Sequence, residues 1–157
     1  EVITAAVGKE IDVPGAHGIT VTADEFLEDV KADEFDAIIL PGGGPGTENL
    51  KNSDTVITLL QRQKDARRLI CAICAAPLVL VEAGVLEPGQ HVTCYPTCTV
   101  ELDRASANVP VVADDNVITG QAPGSAMLFA LIVLHALTND KTTGKVARGL
   151  VTDVLEQ

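Results

Sequence analysis

Apolar and polar positions along this chain switch repeatedly between a two-residue and a three-to-four-residue period. "EVITAAV" (1–7) has the β-branched content of a short strand. "GITVTAD" (18–24) alternates Ile19, Val21 and Ala23 on one face, after which Asp24 can cap a helix through Phe26, Leu27 and Val30. "FDAIIL" (35–40) is the compact apolar run of a buried strand, and "PGGGPG" (41–46) stops it abruptly. Asp54 then caps an amphipathic helix whose stripe is Val56, Ile57, Leu59 and Leu60. "RLICAI" (68–73) is the next buried strand, and "AAPLVLVEAG" (75–84) predicts a helix with Pro77 in its first turn and Gly84 at its end. "HVTCY" (91–95) reads as another strand, and "VPVVADDNVITG" (109–120) as two short strands about an Asp-Asp-Asn turn at Asp114–Asn116. Gly124 opens a nearly all-apolar helix, "SAMLFALIVLHAL" (125–137), expected to be buried around most of its girth. A last amphipathic segment, 140–150, closes the pattern.

Strands alternating with helices at this spacing give an α/β doubly wound sheet, mostly parallel, in one domain over residues 1–157. Aromatic residues are scarce, at 3% with no Trp, so the core must be Val, Ile, Leu and Ala. That composition suits a parallel sheet covered by helices on both faces. A formal charge of −11 argues against nucleic acid and anionic membrane surfaces as partners. The longest apolar run, Ala126 to Leu134, is too short to span a bilayer. The opening "EVITAAVGKE" has no basic n-region, and four cysteines outside a secretory context read as thiols of a reducing compartment, so the cytoplasm is expected. A doubly wound fold usually opens on a strand with its own functional turn. This chain opens on what reads as a second strand.

The chemistry turns on Cys74. Cys71-x2-Cys74 followed by Cys94-x3-Cys98 is close to a four-thiolate zinc pattern. Zinc pairs, however, sit on polar turns that let both sulfurs converge, whereas Cys71 lies inside a strand and a spacing of three sends the two side chains to opposite faces. No metal is therefore expected. A thioredoxin-type redox pair fails for a similar reason, since Cys71 comes too early to stand at a helix start. The remaining readings are packing, the usual fate of a free cysteine, and a nucleophile. Position favours the second: the carboxyl end of a buried parallel strand lies at the crevice where open α/β sheets bind ligands. A helix N-terminus there favours thiolate, and the small Ala75 and Ala76 leave the turn uncrowded, as a nucleophile elbow requires. The three glycines after "FDAIIL" expose backbone N–H groups that could hold a developing oxyanion; no Gly-Lys-Ser/Thr follows, so this is not a phosphate loop.

"ILPGGGPGTENL", then "ICAICAAPLVLVEAGVL", "VTCYPT" and "VITGQAPGSAMLFAL", in this order, resemble the ThiJ/PfpI superfamily, within it the parkinsonism-associated deglycase and chaperone branch. The resemblance implies a flavodoxin-like fold, usually a homodimer, with a readily oxidised cysteine at the elbow and no cofactor. Carried over residue by residue, Cys74 matches the nucleophile. Gly43 and Ala75 match the positions whose N–H groups face the sulfur. Tyr95 stands where several relatives have a histidine, and Gln121 to Gly124, including Pro123, match the loop flanking the pocket. Ala75 replaces the histidine of the protease-like branch, which disfavours a Cys-His peptidase. The family's first strand, first helix and the loop whose glutamate hydrogen-bonds the cysteine are expected to be missing here.

The resemblance implies a cysteine-dependent glyoxalase or deglycase acting on methylglyoxal or its protein adducts, slow without that glutamate. The alternative is a redox sensor or redox-regulated chaperone that works through oxidation of Cys74. His17 and His135 read as surface or structural residues, and neither they nor His91 begin the set a glutamine amidotransferase needs. Cys94 and Cys98 read as packing thiols flanking Tyr95.

Overall fold

The computed structural model describes residues 1–102 and 109–152. The first thirty residues build small pieces at the periphery. A two-residue strand β1 (Ala5–Ala6) runs parallel to β4 (Glu25–Phe26), and between them β2 (Asp12–Pro14) and β3 (Thr20–Thr22) form an antiparallel hairpin. The strand expected over 18–24 is therefore half of a hairpin whose other half the sequence pattern did not suggest. Its apolar face is uncovered: Val13 pairs with Val21 and is 42% exposed, Val21 56% and Ile19 65%. Helix α1 (Leu27–Val30) begins at Phe26 without a side-chain cap. Asp24 does not cap it, because its carboxylate accepts hydrogen bonds from the Thr4 N–H (2.8 Å) and hydroxyl (2.7 Å) instead. A carboxylate offered two donors from one neighbour takes them in preference to a more distant helix end.

The body of the molecule is a four-stranded sheet in the order β5 (Ala37–Leu40), β6 (Leu69–Ile73), β8 (Val117–Gly120), β7 (Val111–Asp114). β5, β6 and β8 are parallel, and β7 joins β8 by a tight antiparallel turn. Asp115 in that turn has φ +52°, a conformation that Asp tolerates. The Asn116 side chain donates to the Arg68 carbonyl at 2.9 Å and the Ile70 N–H to the Asn116 carbonyl at 2.9 Å, which locks the turn onto the start of β6.

Strand β6 is apolar on both sides because both sides are covered. Ile70 and Ala72 enter a large cluster with Val56, Leu59 and Leu60 of α3 (Asp54–Asp65) and Leu78 to Leu80 of α4 (Pro77–Glu82). Cys71 points the other way, into a smaller cluster with Ile118 and with Phe129 and Val133 of α5 (Ala126–Leu137). The final helix, α6 (Asp140–Gly149), is capped by Asn139, whose side chain accepts from the Thr142 N–H at 3.0 Å.

Four local expectations give way to tertiary context. "PGGGPG" (41–46), expected only to stop a strand, also opens the helix α2 (Gly44–Lys51), with Pro45 in its first turn and Thr47 buried. The cap of α3 is Ser53, which accepts from the Val56 N–H at 3.3 Å, and not Asp54. "HVTCY" makes no extended strand. Val92, Thr93 and Cys94 are nevertheless buried, tied down partly by the Thr93 N–H to the Thr119 hydroxyl at 2.9 Å. Helix α5 buries Phe129, Leu131 and Val133 but leaves Met127 and Leu137 exposed, so it is covered on one face only.

Candidate active site

Three segments converge at the carboxyl end of β6. Strand β6 ends at Ile73, and Cys74 follows with φ +66°, in the left-handed region. A non-glycine residue there costs about 1–2 kcal/mol and needs surrounding structure to hold it. Two backbone hydrogen bonds do so. The Cys74 N–H donates to the Gly120 carbonyl at 2.9 Å, extending the β6–β8 ladder by one residue. The Cys74 carbonyl accepts from the Tyr95 N–H at 2.8 Å. The chain then turns through Ala75 and Ala76 into α4, with Pro77 as its first residue. A strand, a residue in the left-handed region and a helix in this order are the backbone geometry that a nucleophile elbow requires.

The glycines after β5 close the site from the side. A Cβ on Gly42 would stand 2.5 Å from Cys74 Cβ, 2.6 Å from the Ile73 carbonyl oxygen and 3.3 Å from Cys74 Sγ. Only glycine lets the two strand ends approach this closely. Gly43, with φ +98°, is the N-cap of α2. Among the described residues, neither the Gly43 nor the Ala75 N–H donates to a backbone carbonyl. Sequence reasoning singled out Gly43 and missed Gly42. The triple glycine is visible in the sequence, but which member meets the cysteine depends on the pairing of β5 with β6.

Tyr95 is joined to Cys74 through its backbone, and its side chain is exposed. Gln121 directly follows the Gly120 that anchors Cys74, and its own N–H donates to the Pro110 carbonyl at 2.9 Å. Pro123 opens a short 3₁₀ turn, Pro123–Ser125, that leads into α5. The Ser125 hydroxyl and the Ala122 backbone brace that turn by mutual hydrogen bonds of 2.9 and 3.1 Å.

The four cysteines are free thiols and differ sharply in surroundings. Cys71 is fully buried, and burial alone pushes its thiol up to about 12. Burial also raises Cys94 to about 11, with smaller contributions from the charges of Cys98 and Cys74. Cys98 is raised chiefly by burial, partly offset by a hydrogen bond with Thr97, with Cys74 and Glu101 adding to the rise. Cys74 is half-buried. Cys71 packs in the smaller cluster, on the opposite face of the sheet from Cys94 and Cys98 in the larger one. Among the described residues, no three His, Cys, Asp or Glu side chains are grouped to hold a metal ion. No described helix is long and apolar enough to cross a membrane.

The histidines lie outside this constellation. His17 sits in a peripheral turn with φ +60°. The His91 N–H donates to the Asp114 carboxylate at 2.7 Å, and His135 is half exposed, 3.3 Å from the Asp140 carboxylate.

The DJ-1/PfpI family model matches residues 1–136. Protein DJ-1 homolog A of Arabidopsis thaliana is 34% identical over 135 residues, which is 85% of this chain and 34% of that protein. The chain thus spans about a third of that relative's length. The glutathione-independent glyoxalase DJR-1.2 of Caenorhabditis elegans is 36% identical, covering 86% of this chain and 73% of that one. A deglycase of Pyrococcus abyssi is 32% identical, covering 79% and 75%. Among solved structures, oxidized Toxoplasma gondii DJ-1 superposes with a TM-score of 0.92 at 31% identity, over 98% of this chain and 84% of that one. By the family match, the relatives and the parallel sheet flanked by helices, this chain belongs to the DJ-1/PfpI family and has its flavodoxin-like α/β fold.

Proposed function

We propose that the protein is a cofactor-independent glyoxalase or deglycase in which Cys74 attacks small reactive aldehydes such as methylglyoxal, or their adducts on proteins. The observation that carries this reading is the half-buried thiol held at φ +66° beside Gly42. Two relatives named as a glyoxalase and a deglycase support it.

In this mechanism the Cys74 thiolate adds to the aldehyde carbon, giving a hemithioacetal. We assign the negative oxygen formed in that step to the Gly43 and Ala75 N–H groups, which donate to no backbone carbonyl among the described residues. A proton then moves from the former aldehyde carbon to its neighbour, and water releases lactate and regenerates the thiol. That proton transfer needs an acid–base group near the sulfur. We assign the side chains of Tyr95, Gln121 and Pro123 to the pocket that receives the aldehyde. Four free thiols suit a reducing compartment such as the cytoplasm.

The uncovered hairpin face of Val13, Ile19 and Val21 supports a homodimer as the working assembly. A second reading, a redox sensor or redox-regulated chaperone, uses the same accessible thiol through its oxidation.

The test is lactate formation from methylglyoxal by the wild type and by Cys74→Ser. Activity in the variant is expected to fall at least about a hundredfold, the scale associated with losing an activated nucleophile. Undiminished turnover would remove Cys74 from the mechanism. No lactate from the wild type, with peroxide oxidising Cys74 ahead of the other thiols, would favour the sensor.

A further inference from the structure

We propose that Cys98 is the resolving thiol of Cys74: a sulfenic acid formed on Cys74 by a hydroperoxide is captured by Cys98 as an intramolecular disulfide. The inference rests on the reading of Cys74 as the reactive thiol.

The geometry begins with the backbone. Tyr95 donates its N–H to the Cys74 carbonyl at 2.8 Å, and Cys98 donates its N–H to the Tyr95 carbonyl at 2.8 Å. Cys98 is thus one three-residue turn away from a residue pinned to Cys74. Its side chain lies in the core cluster that also takes in Ala75 and Ala76, the residues after the elbow. The Cys74 charge acts on both Cys98 and Cys94, which places the three sulfurs in one electrostatic neighbourhood. Cys71, on the opposite face of the sheet, stands outside it.

Two observations choose Cys98 over Cys94. Cys94 is 1% exposed and follows Thr93, whose backbone is bonded to Thr119 at 2.9 Å and whose hydroxyl donates to the Val109 carbonyl at 2.8 Å. That segment is anchored from both sides. Cys98 is 9% exposed and ends the 3₁₀ turn Pro96–Cys98, in which Pro96 and Thr97, like the Tyr95 before them, are exposed. Such short turns have poor hydrogen-bond geometry and rearrange at small cost. Closing a disulfide brings two Cα atoms to within about 7 Å, and we assign that movement to the exposed turn in preference to the segment held through Thr93.

The chemistry balances with a hydroperoxide as the oxidant. The Cys74 thiolate attacks one peroxide oxygen, the O–O bond breaks, and the sulfur becomes a sulfenic acid as an alkoxide or hydroxide leaves. The Cys98 thiolate then attacks the Cys74 sulfur. The S–S bond forms as the S–O bond breaks, and the departing hydroxide takes up the proton lost by the Cys98 thiol, leaving as water. The peroxide is reduced and two thiols are oxidised. Capture at this stage keeps Cys74 from the irreversible sulfinic state and makes its oxidation reversible by cellular thiols.

The experiment treats the whole protein with one equivalent of hydrogen peroxide, blocks residual thiols and digests after glutamate. Cleavage at Glu48, Glu82 and Glu101 leaves Cys71 and Cys74 on one peptide and Cys94 and Cys98 on another. The wild type is expected to lose two hydrogens in intact mass, stay monomeric on a non-reducing gel, and give one cross-linked peptide pair. That cross-link is expected to vanish in Cys98→Ser and Cys98→Ala, with sulfinic acid accumulating on Cys74, and to persist in Cys94→Ser. Thermal melts of each variant verify that it is folded. Sulfinic acid without a cross-link in the folded wild type overturns the proposal. So does a cross-link that survives loss of Cys98, or one that joins two chains. Iodoacetamide labelling of the untreated protein separates the two levels: if Cys74 is not the first thiol modified, the reading beneath the proposal fails with it.

Discussion

Cys71 and Cys74 lie three residues apart on the same strand end, yet they occupy opposite chemical situations. Cys71 is enclosed by Ile118, Phe129 and Val133, with its thiol pushed up to about 12 by burial. Cys74 is half-buried, twisted to φ +66°, and bonded through its backbone to Gly120 and Tyr95. The difference lies in where the strand stops. Inside β6, pleating assigns each side chain to one covered face, and a thiol there is a small hydrophobe. One residue beyond the last ladder pair, the backbone must leave the sheet, and its side chain meets the crevice in place of a helix. The difference in exposure between these two thiols is a property of the strand's end and not of the residue type.

The sharpest way to break this contrast is Gly42→Ala. The new Cβ meets Cys74 Cβ and the Ile73 carbonyl oxygen at 2.5 and 2.6 Å, and the carbonyl cannot move without disturbing the β6–β8 ladder. A loss of about 3 kcal/mol is expected, from overpacking, together with slower alkylation of Cys74. Unchanged stability and unchanged labelling would show that the elbow does not depend on this contact.

Cys71→Ser tests the other side, by denaturant unfolding. A hydroxyl among Ile118, Phe129 and Val133 lacks a partner, so about 2 kcal/mol should be lost, with turnover per folded molecule retained. The same burial predicts a pH dependence. The folded pKa of Cys71 is raised above the ordinary thiol value of 9.0. Its contribution is therefore fully present below pH 9 and is lost as pH climbs toward about 12, because the unfolded chain releases the proton first. Cys71→Ala should flatten that alkaline decline.

The smallest expected effect comes from Cys74→Gly. Removing the Cβ relieves about 1–2 kcal/mol of left-handed strain and adds about 0.5–1 kcal/mol of chain entropy to the unfolded state. A net gain of about 0.5 kcal/mol, read as a slightly higher Tm, is the balance of those two terms. A variant that loses stability would mean that Cys74 contributes packing which outweighs its strain.

Much of this was legible in the sequence wherever local pattern and tertiary need coincide. "FDAIIL", "RLICAI" and "NVITG" are apolar because a parallel sheet is covered on both faces, and they became β5, β6 and β8. Pro77 marked the start of α4, and Gly84, at φ +64°, its end. The family was likewise readable from four short motifs. The failures fall where a long-range partner decides. Asp24 caps nothing because Thr4 is nearer, "HVTCY" buries Val92, Thr93 and Cys94 with a single bridge at Val92, and "GPGTENLK" is helical despite its glycines.

The sequence by itself determined the alternation of elements, the apolar composition of the central strands, and the cysteine at the changeover from β6 to α4. Periodicity and turn residues act over a few positions, and a reader of the chain can see that far. Only the tertiary structure decided that Gly42 is the glycine against Cys74, that Cys71 faces away from Cys94 and Cys98, and that Tyr95 and Cys98 hang from the elbow's carbonyl. Those facts follow from the register of strands and segments far apart in the chain, and register is set by how whole faces pack rather than by any local run of residues.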